Sequence, residues 1–456
     1  MATEHLPPLD LAFWRIESAS HPMHLGALGV FDAAGPDAAA RAAALIAERC
    51  GDVPRLRRRI HDVLLPVGAA AWSPARDFDP ARHVFLVRHG STDADGNADP
   101  HAAAGPLMAR PLERGLPPWE AHVLAGPDPE TFAVLFKFHH ALSDGLGVLA
   151  LAAGLFDEGL PVRGSARPTA RAATRSPGRP GPASRSALRR LPGTLAARAQ
   201  DVGQALEIGA AVARSGLPLG VPDGLSAESG GPAGTRALAG VALGLDEVNR
   251  IRKVAGGTVN DVLIALVAGA LRRWLAGRGE PVGEASGPRA LIPVSRRRSA
   301  DGSGAGNRLS GYLLRLPVAE SEPLRRLGAV RAGMDRNKEA GPARGAGAVA
   351  LLADHVHPLG HRLGGPLLAQ AARLLFDILV TSVPLPGFSF SLGGSTVREV
   401  YPLAPLAQGH ALAVAVSSYR GVVHFGLVAD GAAVPDLDAL ARALRTELEE
   451  LVREVS

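Results

Sequence analysis

The stretch that decides the reading is Phe136-Lys137-Phe138-His139-His140-Ala141-Leu142-Ser143-Asp144-Gly145. Side chains alternate between the two faces of a strand. A strand over Thr131 to His140 therefore carries Phe132, Val134, Phe136, Phe138 and His140 on one face, and Lys137 and His139 on the other. Adjacent histidines on opposite faces cannot share one metal ion while the strand persists, so a His-His metal site is disfavoured. His140 ends a row of bulky apolar residues just before the Ser143-Asp144-Gly145 turn, a position suited to an imidazole at the mouth of an apolar channel. A neutral imidazole, with an ordinary pKa of about 6.5, can take a proton from a hydroxyl within hydrogen-bond reach. Asp144 is placed to orient that ring or to brace the loop against an arginine, and Gly145 lets the backbone turn tightly. The same residues also fit a core histidine followed by an ordinary turn.

Outward from this motif the periodicity alternates between strand and helix. Thr258 to Leu275 reads as a helix with Val259, Val262, Leu263, Leu266, Ala270, Leu271 and Trp274 on one stripe. Thr258 fits its N-cap and Asp261 the acidic member of a capping box, which puts Asn260 in the first turn, where free N–H groups favour negative charge. Ala411 to Ser418 and Val422 to Ala429 read as a hairpin across Tyr419-Arg420-Gly421. Leu437, Leu440, Leu444, Leu448 and Leu451 line a closing amphipathic helix. Between these mixed halves, Gly159 to Gln200 holds nine arginines and no acidic residue amid Pro, Gly, Ser and Ala, a linker composition. Leu188, Leu191, Leu195, Val202 and Leu206 then return at helical spacing. Their alanine-rich setting, without aromatic anchors, favours a helix packed across the halves over one lying on a membrane. The expected division is 1–157, a linker over 158–233, and 234–456.

The chain has 456 residues, 46% hydrophobic and 20% charged, enough for two or three domains with a core that needs no staple. A single cysteine, Cys50, excludes a disulfide framework and any multi-cysteine zinc or iron–sulfur site. The formal charge is +5 and nearly all cations are arginine, Lys137, Lys253 and Lys338 being the lysines. The N-terminus shows no secretory pattern, and the longest apolar candidate for a span, Leu367 to Val380, is broken by Arg373 and Asp377. A soluble protein that visits a membrane without spanning it is expected. His355, His357 and His361 are interrupted by Pro358 and Gly360, so no metal site is expected there. The Arg296-Arg297-Arg298 run is read as a solvated face, and no phosphate loop or nucleic-acid module is visible.

His139-His140-Ala141-Leu142-Ser143-Asp144-Gly145 matches every fixed position of an HHxxxDG signature. Other segments match in order: Pro8-Leu9-Asp10 with Phe13, Glu17 and Pro22 to Gly26; Arg110-Pro111-Leu112 with Pro118-Trp119-Glu120; Thr258 to Val262; Pro293-Val294-Ser295; Gly306 to Ser310; and the tail from Tyr401-Pro402 through Ser418 to Gly421 and Val434 to Asp436. Together they resemble the bacterial wax ester synthase/diacylglycerol acyltransferase family of CoA-dependent acyltransferases, over nearly the whole chain except the linker. The chain departs from that pattern at Pro118, where the family has leucine, at Ser382 and Leu385, where it has asparagine and glycine, and at Gly431, where arginine is typical.

The resemblance implies an α/β fold of the α+β type, with two chloramphenicol-acetyltransferase-like domains, a long crossover linker and an active-site tunnel between them. It implies transfer of a fatty acyl group from acyl-CoA to the hydroxyl of diacylglycerol or of a long-chain alcohol. His140 is then the general base, Asp144 a structural or orienting residue and Asn260 an oxyanion candidate. His139, Gly145 and Asp261 complete the motifs, and Trp119 and Glu120 are candidates for the tunnel wall. Acyl-CoA is a co-substrate, with no permanently bound cofactor, metal or nucleic acid. The expected setting is cytoplasmic, peripheral to the inner membrane or a lipid droplet. Two other readings fit the signature: acylation of a sugar or polyketide hydroxyl, and a catalytically weak paralogue that binds lipid or coats droplets.

Overall fold

Alternation at Phe132 to His139 builds a strand at the centre of a sheet. The computed structural model describes residues 4–93, 95–142, 151, 154–157, 235–283, 287–295, 309–340, 376–385 and 389–456. Outside these residues lie Asp144 and Gly145, the whole linker with its expected helix, Arg296 to Arg298, Gly306 to Arg308, and the His355, His357 and His361 group.

The N-terminal half runs β1 (Glu4–His5), α1 (Pro8–Ile16), β2 (His24–Asp32), α2 (Ala38–Arg49), β3 (Arg58–Asp62), β4 (Ala70–Pro74), β5 (Val84–Arg88), α3 (Pro100–Ala109), β6 (Trp119–Ala125) and β7 (Thr131–His139). The C-terminal half runs β8 (Arg236–Gly244), α4 (Leu245–Ala255), α5 (Val259–Gly277), β9 (Arg289–Ser295), β10 (Leu309–Arg315), α6 (Pro323–Ala340), β11 (Ile378–Pro384), β12 (Ser391–Leu392), β13 (Ser395–Leu403), β14 (Leu412–Tyr419), β15 (Val422–Asp430) and α7 (Leu437–Glu454).

Each half is built on a six-stranded sheet, ordered β12-β13-β2-β7-β6-β5 in one and β10-β9-β11-β14-β15-β8 in the other. The expected boundaries are amended by this order. β12 and β13 belong to the 234–456 segment, yet they complete the N-terminal sheet, Thr396 to Leu403 pairing antiparallel with Asp32 to Gly26. Without them β2 would present a row of unpaired N–H and C=O groups. The exchange demands close passage. A Cβ on Gly426 of β15 would lie 2.0 Å from the Pro402 carbonyl oxygen, so only glycine fits where β13 crosses. Ser417 Oγ donates to Val400 O at 2.7 Å and Tyr419 Oη accepts from Phe390 N at 3.0 Å, tying β14 to the transferred strands.

The two faces of β7 pack as alternation dictates. Phe132, Val134, Phe136 and Phe138 join Ala42 and Ile46 of α2 in the N-terminal core. Ala133 and Leu135 face a second cluster with Ala104 and Met108 of α3, Leu238 of β8, and Ala413 and Ala415 of β14. α3 is therefore wedged between the halves. At Gly105 an added Cβ would come within 2.4 Å of Arg236 O, which is how closely that helix lies on β8.

In the C-terminal half, the capping box read at Thr258 and Asp261 is present. The stripe read for α5 is too narrow, since every residue from Asp261 to Leu271 is buried. The reason is a second layer: α7 buries the five leucines named above on one side of α5. Gly269 lets it approach, since a Cβ there would sit 2.1 Å from the Glu447 carboxyl carbon. A buried arginine, Arg326, pairs with Glu447 and ties α6 to α7.

Candidate active site

β7 ends where its sequence turns from aromatic alternation to the paired histidines. In the β2–β7 register His139 stands opposite His24. The His139 amide donates to Pro118 O at 3.0 Å and the His140 amide to Met23 O at 2.8 Å. The two imidazoles then part. The His139 ring is 1% exposed and its Nδ1 accepts the Ala141 amide at 3.0 Å. That bond leaves the ring proton to Nε2, which lies 3.5 Å from Glu17 Oε1. Burial holds the pKa of His139 well below the ordinary imidazole value, with the neighbouring His140 and His24 adding to the effect. His139 is a pinned, neutral ring. His140 is one residue past the strand, 8% exposed, and stacks on Phe13 of α1 with ring centroids 3.8 Å apart.

The residues flanking this strand end are held by a polar network. Lys137 is fully buried and donates through Nζ to Leu107 O at 3.1 Å, Arg110 O at 2.7 Å and Glu120 Oε2 at 3.1 Å. His24 Nε2 donates to Met108 O at 2.6 Å. The last carbonyls of a helix have no partner within it; here side chains from β2 and β7 take those of α3. Burial raises the Glu120 carboxyl, but the His122 hydrogen bond and the Lys137 charge more than reverse this and hold it at about 2. Burial lowers the pKa of Lys137 against the pull of Glu120. Burial likewise holds His24 at about 3.

Trp119 and Glu120 open β6, cross-strand from Phe138 and Lys137. Trp119 is completely buried, donates from Nε1 to Leu56 O at 2.7 Å and stacks on His83. A cavity of about 270 Å3 lined by Arg82, Phe85, Arg110 and Leu112 reaches both residues, and His140 is not part of its wall. A larger cleft of about 440 Å3, lined by Trp14, Glu17, Leu112 and Arg114, lies on the His139 side. Pro111 and Leu112 line both, while Glu17 of the larger cleft accepts from Met23 N at 3.2 Å and from Arg114 at 3.1 Å. Burial raises its pKa despite these donors.

Asn260 and Asp261 sit at the start of α5 in the other half. Asp261 Oδ2 accepts from Thr258 N at 2.8 Å, and Thr258 Oγ1 accepts from Asp261 N at 3.2 Å. One oxygen of Asp261 is thus taken by the cap, while its buried Oδ1 has no hydrogen-bond partner among the described residues. Asn260 is half-buried in the first turn. The ring partner Phe13 and the carboxylate Glu17 were visible in the sequence as motif positions, but no local pattern tied them to the histidines. Their signal is the spacing on α1 and the chain just after it, which becomes meaningful only once α1 lies against the end of β7.

Residues 6–263 match the model of the wax ester synthase/diacylglycerol acyltransferase catalytic domain, and residues 305–452 that of the WS/DGAT C-terminal domain. A probable diacylglycerol O-acyltransferase of Mycobacterium tuberculosis is 30% identical over 461 aligned residues, covering 98% of this chain and 96% of that one. Among solved structures, the wax ester synthase/diacylglycerol acyltransferase of Marinobacter aquaeolei VT8 superposes with a TM-score of 0.69 at 21% identity over 99% of both chains. A rhizomide synthetase starter condensation domain, in complex with C8-CoA and Leu-SNAC, shares the fold at TM-score 0.54 and 16% identity, covering 99% of this chain and 94% of that one. With matches spanning both halves and a paired-histidine strand end at the centre of the first, the chain belongs to the wax ester synthase/diacylglycerol acyltransferase family and is an acyltransferase.

Proposed function

We propose that the chain moves a fatty acyl group from acyl-CoA to the hydroxyl of diacylglycerol or a long-chain alcohol, with His140 as general base. The observation that supports this reading is the contrast between two buried rings at the end of β7: the His139 ring accepts the Ala141 amide, while His140 keeps 8% of its surface exposed beside Phe13. In this reaction the hydroxyl proton passes to the His140 ring as the alcohol oxygen attacks the thioester carbon. The tetrahedral oxyanion collapses, the carbon–sulfur bond breaks, and the CoA thiolate recovers the proton from the imidazolium. A thioester is already activated, so a base and oxyanion stabilisation suffice. Asn260 and the free amides of the first turn of α5 are candidates for that stabilisation, and Asp144 for orienting the base. The relatives named as diacylglycerol O-acyltransferases support the acceptor class, and the neighbour holding C8-CoA supports the donor. Acceptors of this kind partition into lipid, which favours work at the inner membrane or a droplet surface.

The test is a labelled palmitoyl-CoA assay run with dispersed diacylglycerol, with hexadecanol and without acceptor. Ester is expected only with an acceptor, and His140→Ala should lower turnover about 10²–10⁴-fold with an unchanged urea midpoint. Wild-type turnover in that variant overturns the base. No ester from the wild type with either lipid alcohol turns the assignment to a sugar or polyketide acceptor, or to a lipid-binding paralogue.

A further inference from the structure

A single exposed leucine is unremarkable, but a cluster is not. Among the described residues the exposed large hydrophobics are Leu64, Leu65, Val67, Leu86 and Val254, and three of these fall within four residues. Leu64 is 87% exposed, Leu65 73% and Val67 45%. They form the tip of the β3–β4 hairpin. The ladder closes with Asp62 against Ala70, and Val63 N donates to Ala69 O just beyond it. Everything from Leu64 to Val67 therefore projects past the last paired residues. Below the tip, Arg57, Arg59 and His61 are exposed. Asp62, the acidic group nearest the tip, is neutralised by Arg15 Nη2 at 2.9 Å.

An apolar projection above exposed cations matches a phospholipid surface: hydrocarbon accepts the leucines, while headgroup phosphates meet the guanidinium groups. A closed protein interface fits less well, because the four residues of the tip offer little of the area that a stable interface buries. The hairpin is also coupled to the site. Arg15 donates from Nη2 to Gly68 O at 2.9 Å, at the base of the tip. Arg15 belongs to α1, the helix that carries Phe13 onto the His140 ring. A hairpin seated in the headgroup layer would hold α1 and the end of β7 at a defined height above the lipid that supplies the acceptor.

We infer that the Leu64–Val67 hairpin tip, backed by Arg57 and Arg59, is a membrane-docking element that inserts into an anionic phospholipid surface. The inference rests on the lipid-acceptor reading and names the surface from which that substrate is taken.

The experiment compares the full chain with Leu64→Ser/Leu65→Ser in co-sedimentation with phosphatidylcholine vesicles containing phosphatidylglycerol, and with Arg57→Gln/Arg59→Gln on the same vesicles. The leucine variant should bind about tenfold or more weakly, since the transfer energy of several buried methylenes is lost. The arginine variant should lose the salt-sensitive part of binding. With detergent-dispersed hexadecanol the leucine variant should turn over like the wild type, whereas diacylglycerol presented in vesicles should be acylated more slowly. Equal vesicle binding by wild type and leucine variant, no binding by the wild type, or a change of oligomeric state without lipid would each overturn the docking role. Failure of the wild type on dispersed hexadecanol and diacylglycerol would instead strike the acyltransfer reading, so the two failures are told apart.

Discussion

The two sheets bury different materials. The C-terminal sheet packs against α5, whose middle is an unbroken run of aliphatic and small residues; its buried polar groups are dispersed, with Arg326–Glu447 between the helices, Arg289–Asp377 beside β9, and His410 and His424 each apart. The N-terminal sheet buries Lys137, His24, His122 and His139, with the half-buried Glu120 bridging Lys137 and His122. Apolar packing tolerates volume-conserving exchange and carries no directional requirement. A buried polar network is directional, and leaving one member unpaired is costly. The half that carries the paired histidines therefore fixes its geometry with hydrogen bonds, and the other half acts as the rigid wall against which α3 and β13 are set.

This contrast can be broken most sharply at Lys137. Lys137→Met should cost about 3–5 kcal/mol, because it strands the α3 carbonyls in the interior and leaves the Glu120 carboxylate with His122 alone. Turnover should fall as well. Leu266→Ala in α5 should cost a comparable 2–5 kcal/mol yet leave turnover of the folded protein intact. Urea midpoints and turnover measured together decide this, and a Lys137→Met/Glu120→Gln pair should recover part of the loss. If Lys137→Met is as silent in turnover as Leu266→Ala, the N-terminal network holds nothing that the reaction uses.

Acid should sharpen the comparison next. Burial holds His24 at about 3 and His424 of β15 at about 4, both below the ordinary 6.5. The unfolded chain then takes up protons first, so stability is full above about pH 6.5 and declines as pH falls toward 3, with a limiting slope of about 1.4 kcal/mol per pH unit for each histidine. His24 donates to Met108 O, while neither nitrogen of the His424 ring has a hydrogen-bond partner. His424→Leu should therefore flatten the acid limb at little cost at neutral pH. His24→Leu should flatten it too, but at a cost of about 1–3 kcal/mol for the stranded carbonyl. Urea midpoints from pH 7 to pH 4 give both numbers.

The smallest effect belongs to the start of α5. Thr258→Ala removes the cap and should lower stability by about 1 kcal/mol. Asn260→Ala should leave the midpoint in place and reduce turnover. A stability loss from Asn260→Ala equal to that of Thr258→Ala would make the asparagine part of the cap rather than of the reaction.

Much of this was legible locally. Alternation in Phe132 to His139 settled both the strand and the opposite fates of Lys137 and Phe138, and the Thr258–Asp261 spacing settled the cap. The hairpin at Tyr419 to Gly421 and the leucines of α7 were equally plain. The width of the buried face of α5 was not, because the layer that covers its outer side is made from distant α7. Trp119 and Glu120 were legible as a motif, but their engagement with Leu56, His122 and Lys137 was not.

Residue order alone identified the strand that becomes β7, the helices α5 and α7, the β14–β15 hairpin, where the histidine pair falls, and which family the chain resembles. The strand, the helices and the hairpin are set by neighbours within a few positions, through alternation, helical period and capping; the resemblance rests on motifs matched in order along the chain. Only the folded chain decided that β13 completes the opposite sheet, that Lys137 and His24 close the end of α3, and that Phe13 covers His140. Each of these joins groups far apart in sequence, His24 and Met108 by 84 positions and Ala34 and Ser395 by 361. At such separations the pairing is chosen by mutual burial and satisfied hydrogen bonds across the whole molecule, and no local pattern carries that choice.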